Sequence, residues 1–408
     1  MGNNLHSSKD NESVWMMFSR TEKIIILMTI LFLILSEQAV NSWLALNIYL
    51  PRTYLLLIIL SVMIIAICLK SGNQKFCIEK TMFFMLYTRI PFYILNSMVA
   101  GVTSSFFAYY LLVLVAPIIY TYIYKCVDEY EKVLCIILKF TITIIDLQIM
   151  SVFLPLALGG HGLYQIKTLL TIPVGNSNSV AALILMQTVL AYLFLEKKFY
   201  TVISVLALLC TMSKGAFLAL GITGVIILVG ELIKRKNWRV LFAILIGACV
   251  IYAVANKVLN EYLFEYLKVI KTLFNGNIET INNGRNEIFK DAWVQFLQHP
   301  IIGNGLRSLY VSGGMAHNFI LQGLFNGGIL GCVLMYSPIL YIVFRMNKWN
   351  DKYKRGMLYL LLVITLHGFV ENVFLTITAE LFIWTYIFLI YLGGEKDYAK
   401  SWNCNSEL

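Results

Sequence analysis

A stretch of roughly twenty consecutive apolar residues that enters a bilayer must be a helix, because no other single segment satisfies its own backbone hydrogen bonds in hydrocarbon. This chain repeats such stretches along its length: Ile24 to Trp43, Tyr54 to Leu69, Met82 to Ala100, Phe106 to Tyr124, Val133 to Leu158, Val180 to Leu195, Tyr200 to Met212, Ala216 to Leu232, Val240 to Ala255, Phe319 to Phe344, Met357 to Val370 and Ala379 to Leu392. With 59% apolar and only 13% charged residues over 408, a soluble globule is excluded. The expected fold is all-α, a polytopic membrane protein with about twelve transmembrane helices and a large structured periplasmic loop. Residues 1–255 would hold the first nine spans and a first periplasmic loop at 159–179, residues 256–318 the large loop, and residues 319–408 the last three spans and a cytoplasmic tail.

Lysine and arginine set the orientation. They recur in every second connection: Lys70, Lys75 and Lys80; Lys125 and Lys132; Lys197 and Lys198; Lys234, Arg235, Lys236 and Arg239; and Arg345, Lys348, Lys352, Lys354 and Arg355. Basic connections stay inside, so both termini are expected in the cytoplasm. The formal charge of +10 is then a topological bias and not a nucleic-acid footprint. No cleavable signal peptide is expected ahead of the first span. The eight cysteines avoid the outer loops and show no zinc-ligand spacing, so neither a disulfide nor a metal site is expected.

Two outer connections are longer than a turn requires, Gly159 to Ser179 and Asn256 to Asn318, the second about sixty residues and too long for a plain linker. Within it, Val258, Leu259, Tyr262, Leu263, Tyr266, Leu267, Ile270, Leu273 and Phe274 recur at helical spacing, predicting an amphipathic surface helix. After Asn282-Asn283-Gly284 a second helix is expected, opened by Arg285, with Ile288, Phe289, Ala292, Trp293, Phe296 and Leu297 on one face and a stop at Pro300. Gly303 and Gly305 read as a flexible pair before Arg307, and the loop closes at His317-Asn318 where an apolar helix begins. An imidazole at a membrane boundary is costly unless it lines a wet cavity, which makes His317 the first candidate for chemistry.

These residues carry a resemblance. Gly284-Arg285, a tryptophan-bearing helix, His299-Pro300-Ile301-Ile302-Gly303-Asn304-Gly305, then His317-Asn318 followed by Gly328 and Gly331, resembles the bacterial O-antigen polymerase and O-antigen ligase superfamily. Pro173-Val174-Gly175-Asn176-Ser177-Asn178 and Thr211-Met212-Ser213-Lys214-Gly215-Ala216 agree with it, although the family usually reads Ser-Arg-Gly at the second, so Lys214 keeps the charge and loses the planar fork. The resemblance implies a metal-independent, cofactor-free glycosyltransferase at the outer face of the inner membrane. Its donor would be an oligosaccharide on a polyprenyl diphosphate, its acceptor a lipid-linked repeat unit or the lipid A core, and its partners membrane lipid and a chain-length regulator protein.

The residue chemistry runs parallel. An acceptor hydroxyl must lose a proton as it attacks the anomeric carbon, and a departing diphosphate must have its charge stabilised. His317, at a helix N-terminus that disfavours a positive imidazolium, suits a general base. Arg285 and Lys214 are the expected catalytic cations, with Arg307, Asn318, Glu371 and Arg89 as substrate-binding candidates. Each has a plainer alternative. His317 can cap a helix, Arg285 can snorkel to the headgroups, and Arg307 and Lys214 can be solvated loop charges. Arg89 and Asp146, inside expected spans, read first as members of an internal polar network, and Gly327, Gly328 and Gly331 as packing glycines. His367 and Glu371 are expected four apart on one face of the eleventh span. Three function classes follow: a polymerase joining lipid-linked repeats, a ligase moving finished glycan onto lipid A core, and a flippase or transporter, which the lack of a visible inverted repeat disfavours.

Overall fold

Most of the apolar runs become helices at their expected places. The computed structural model describes residues 18–35, 51–70, 80–101, 106–234, 285–307, 314–371, 374 and 376–406. The helices are α1 (Arg20–Leu35), α2 (Arg52–Leu69), α3 (Lys80–Tyr87), α4 (Arg89–Val99), α5 (Phe106–Cys126), α6 (Tyr130–Leu158), α7 (Leu163–Leu169), α8 (Ser177–Phe194), α9 (Phe199–Cys210), α10 (Lys214–Lys234), α11 (Arg285–Gln298), α12 (Phe319–Arg345), α13 (Asp351–Gly368) and α14 (Ile377–Ser406). A single antiparallel hairpin, β1 (Thr171–Ile172) with β2 (Gly175–Asn176), interrupts them among the described residues. Four of these helical stretches are long and apolar enough to cross a membrane: Arg52–Leu69, Tyr130–Leu158, Ser177–Phe194 and Phe319–Lys348, the last running one turn past α12. An integral membrane protein follows from them, while the count of about twelve spans rests on the sequence. The expected span at Val240 to Ala255, the amphipathic stretch from Val258 to Phe274 and the Asn282–Gly284 turn lie outside the described residues.

α8 is the centre of the bundle. It is apolar all round and buried along most of its length, as a helix enclosed by others must be, and it packs against α6, α9, α10 and α13. α14 fills the other half of the core, with Leu381 to Leu392 buried against α5, α6 and α13. At one end of the bundle the basic residues find acids. Lys70 lies 3.8 Å from Asp128, Lys352 pairs with Glu131, and Arg345 with Glu395.

Two of the expected spans are broken. The third run divides at Thr88, because Pro91 has no N–H to offer the carbonyl of Tyr87; it sits instead in the first turn of α4, where such a donor would be unpaired anyway. The tenth divides at Gly328, whose φ of 62° and ψ of −164° belong to a region that only glycine occupies readily. The carbonyls and amides freed there are not left bare. Pro300 and Ile301 accept from Ile329 N (2.9 Å) and Leu330 N (3.0 Å), while Asn304 N and Gly305 N donate to Phe325 O (2.8 Å) and Asn326 O (3.0 Å). The segment 300–305 is thus threaded into the gap of α12, and its backbone groups replace the partners that the broken helix lost.

That threading corrects the reading of the glycine pair as flexible. Gly303 and Gly305 are buried with φ of 71° and 82°, and an added Cβ on Gly303 would fall 2.4 Å from Gly328 N. Asn304 locks the same loop by donating to Gln295 O at 2.9 Å, and from α4 Asn96 donates to Ile302 O and to Asn326 O. Gly327 and Gly331 are packing glycines as expected, set against Tyr93 and Phe92. On α11 the expected apolar face is only partly right. Ala292 packs inward with Ala316 and Phe325, and Phe296 is buried, whereas Trp293 and Leu297 stay exposed and Gln295 turns in, donating to Asp291 at 2.7 Å.

Candidate functional site

Four pieces of chain meet at the end of the bundle opposite the ion pairs: the start of α8, the turn from α9 into α10, the loop entering α12, and the turn leaving α13. Each owes its shape to local chemistry. Asn176 caps α8 by accepting from Ser179 N at 3.1 Å, and Ser177 Oγ donates to Thr211 O, which ties the hairpin to the α9–α10 turn. That turn is tight, with Met212 at φ 55°. Asn318 caps α12, its Oδ1 accepting from Ile320 N (3.1 Å) and Leu321 N (3.0 Å) and its Nδ2 donating to Phe369 O at 3.3 Å. One turn into the helix, Gln322 Oε1 accepts from Ala316 N at 2.7 Å. His317, between these two anchors, takes a left-handed φ of 50°, a conformation that a non-glycine residue holds only when its surroundings impose it.

The loop aims His317 at Glu371. Its Nδ1 lies 2.9 Å from Glu371 Oε2. A carboxylate only accepts, so this contact calls for a proton on Nδ1, and in a neutral imidazole Nε2 is then the acceptor. Glu371 is not on the helix with His367 as expected; α13 ends at Gly368, and Glu371 N donates back to His367 O at 2.9 Å from the following turn. The other carboxylate oxygen, Oε1, accepts from Asn178 Nδ2 at 2.7 Å. The carboxylate is mostly buried and the imidazole 40% exposed, so the pair opens outward at the histidine.

The remaining candidates divide. Lys214 opens α10 as an exposed residue, and Gly215 behind it sits so close to the α13 turn that a Cβ there would fall 2.5 Å from Val370 Cγ2 and 3.7 Å from His367 Nδ1. The lysine therefore stands beside the turn that carries Glu371. Arg285 opens α11, and its side chain lies outside the described residues. Both cations sit at helix N-termini, where the dipole opposes them, so helix stability does not account for them. Arg307 donates to Asn304 Oδ1 at 3.3 Å and lies over the Phe325 ring. Asn318 has its side-chain oxygen in the helix cap and its amide on Phe369, which makes it a support for His317.

Arg89 is placed elsewhere. It is buried in the interior against the Trp384 ring, with Nε and Nη1 lacking a partner among the described residues, and no contact there joins it to His317 or Glu371. Asp146, expected in a polar network, has no partner for either oxygen among the described residues and lines an apolar crevice of about 390 Å³ between α6 and α9. Sequence reasoning missed Asn178 as a contributor. The signal was present in the motif at residues 173–178, but nothing local tells which of its polar residues faces Glu371.

No curated protein matches the chain. Residues 199–336, from α9 to the second half of α12, match the family model described as O-antigen ligase. The match takes in Lys214, Arg285, Arg307, His317 and Asn318, and leaves Asn178 and Glu371 outside it. Over this segment, which holds the left-handed histidine at the mouth of a capped helix and the lysine turn, the chain is similar to the O-antigen ligase family.

Proposed function

We propose that the chain is a surface-polysaccharide polymerase, transferring glycan from a polyprenyl diphosphate to a lipid-linked repeat unit at the periplasmic face of the inner membrane, with both termini in the cytoplasm. The observation that carries this reading is the His317–Glu371 pair, 2.9 Å apart, in the same cluster of helix ends as Lys214. The acceptor hydroxyl gives its proton to His317 Nε2 as its oxygen bonds to the anomeric carbon. The carbon–oxygen bond to the diphosphate breaks with the electron pair leaving on the phosphate oxygen. Glu371 stabilises the imidazolium, and Lys214 and Arg285 stabilise the leaving diphosphate, whose charge a helix N-terminus also favours.

A ligase using the same site is the second reading, favoured by the description of the matching family. Surface lipopolysaccharide from a strain lacking the protein separates the two on a gel. A single repeat on core is expected for the polymerase; bare core with accumulated lipid-linked polymer is the ligase result, and an unchanged ladder would refute both.

The cations make a second prediction. Lys214→Arg retains activity and Lys214→Ala loses it, whereas Arg285→Lys weakens donor use about 10-fold or more, because a point charge does not serve a bidentate phosphate contact. Activity with purified lipid-linked donor survives EDTA. Strict dependence on a divalent cation, or an indifferent Lys214→Ala, would contradict the assignment.

A further inference from the structure

Asn178 reaches Glu371 from outside the matched family segment, and its bond is shorter than the one to His317, 2.7 Å against 2.9 Å. It belongs to a rigid platform. Asn176 caps α8 immediately before it, Ser177 is tied to Thr211 O, and α8 itself is buried on nearly all sides, so the amide is delivered by the least adjustable helix of the bundle. Glu371, by contrast, sits in a turn past the end of α13, where its own backbone does not determine which oxygen it shows to the histidine.

We infer that Asn178 is a positioning residue for the transfer reaction: by occupying Oε1 it turns Oε2 of Glu371 onto His317 Nδ1, holds the imidazole in the tautomer protonated at Nδ1, and leaves Nε2 as the proton acceptor. The amide suits this task because it donates without titrating. A carboxylate at this position would repel Glu371 at hydrogen-bond distance, and an aliphatic residue would leave Oε1 without its donor. Among the described residues, His367 lies behind the turn and Lys214 stands beside it at the start of α10, and neither performs the same service. His367 is buried beneath Gly215, and Lys214 projects from an exposed helix end. The inference rests on the reading of His317 as the base, and it extends the site to the start of α8, about 140 residues before the histidine in sequence and one hydrogen bond away from its partner.

Two measurements on the purified, full-length protein test it. The first needs no substrate: with ¹⁵N-labelled histidine, and His317→Ala to assign the resonance, the wild-type ring shows protonated Nδ1 and bare Nε2. In Asn178→Ala that signature shifts toward a mixture of tautomers, while in Asn178→Gln it is partly retained. The second is turnover with purified lipid-linked donor. Asn178→Ala lowers kcat about 10-fold with little change in KM, and Asn178→Asp lowers it further. An unaltered His317 resonance in Asn178→Ala would overturn the inference whatever the activity. A shifted resonance with undiminished turnover would retire His317 as the base and leave the positioning of Glu371 by Asn178 standing, so the two failures are distinct.

Discussion

His317→Ala is expected to abolish glycan transfer while the protein still inserts and accumulates in the membrane. Removing a positioned general base costs about 100-fold to 10,000-fold in rate, and the site has one histidine with an exposed ring paired to a carboxylate. Stability is little affected, because the loop around it is held by Asn318, Gln322 and Ala316 and not by the imidazole. Glu371→Gln is expected to fall almost as far. Its amide can donate to Nδ1, which drives the ring proton onto Nε2 and removes the acceptor, whereas Glu371→Asp retains part of the activity. The measurement is turnover of purified lipid-linked donor in detergent or liposomes, normalised to folded protein. Wild-type rates in His317→Ala would eliminate the proposed mechanism, and wild-type rates in Glu371→Gln would eliminate the tautomer argument alone.

Gly328→Ala is expected to prevent stable accumulation of the protein. Two penalties coincide. The backbone conformation, φ 62° and ψ −164°, is one that side-chain-bearing residues avoid at a cost of about 1–3 kcal/mol, and the new Cβ would lie 2.4 Å from Ile301 O, a backbone atom that cannot move without breaking the threaded segment. Four backbone hydrogen bonds tie 300–305 to the gap in α12, so displacement exposes polar groups that have no water to turn to, each worth about 1–3 kcal/mol. Gly303→Ala should act alike, its Cβ falling 2.4 Å from Gly328 N. Gly221→Ala supplies the control, a glycine inside α10 with open space around it. Comparing membrane-fraction yield and thermal unfolding by tryptophan fluorescence for the three variants decides the matter. A Gly328→Ala protein as abundant and as heat-resistant as Gly221→Ala would mean that the break in α12 is not required.

The two breaks show where reading by hydropathy stops. Phe319 to Phe344 is apolar throughout, and a hydropathy pattern cannot distinguish a continuous helix from two halves joined through a glycine, because the hydrogen bonds lost at Gly328 are replaced by a loop lying at 300–305. Thr88 was more legible in principle, since Pro91 forbids the bond to Tyr87, yet a proline can be carried through an apolar helix, as Pro117, Pro155 and Pro338 are here. On α11 the periodicity identified the helix and its stop but assigned Trp293 and Leu297 to the packed face. What selects that face is the position of Phe325 and Ala316 on a separate part of the chain.

The sequence by itself determined the helical class, most helix positions and the basic end of the bundle, and it singled out His317, Lys214 and the glycine-bearing loop as candidates, because all of these follow from local composition, spacing and charge. Tertiary structure decided the rest. It set the interior Arg89 against Trp384, used Asn318 to cap a helix, brought Glu371 onto His317, and recruited Asn178, which lies 193 residues from the carboxylate it holds. The reason is physical. A helix propensity or an apolar run is a property of neighbours in sequence, whereas a hydrogen bond between the start of one helix and the turn after another depends on how the buried faces of α8, α10, α12 and α13 pack, and that packing is settled only when the whole bundle forms.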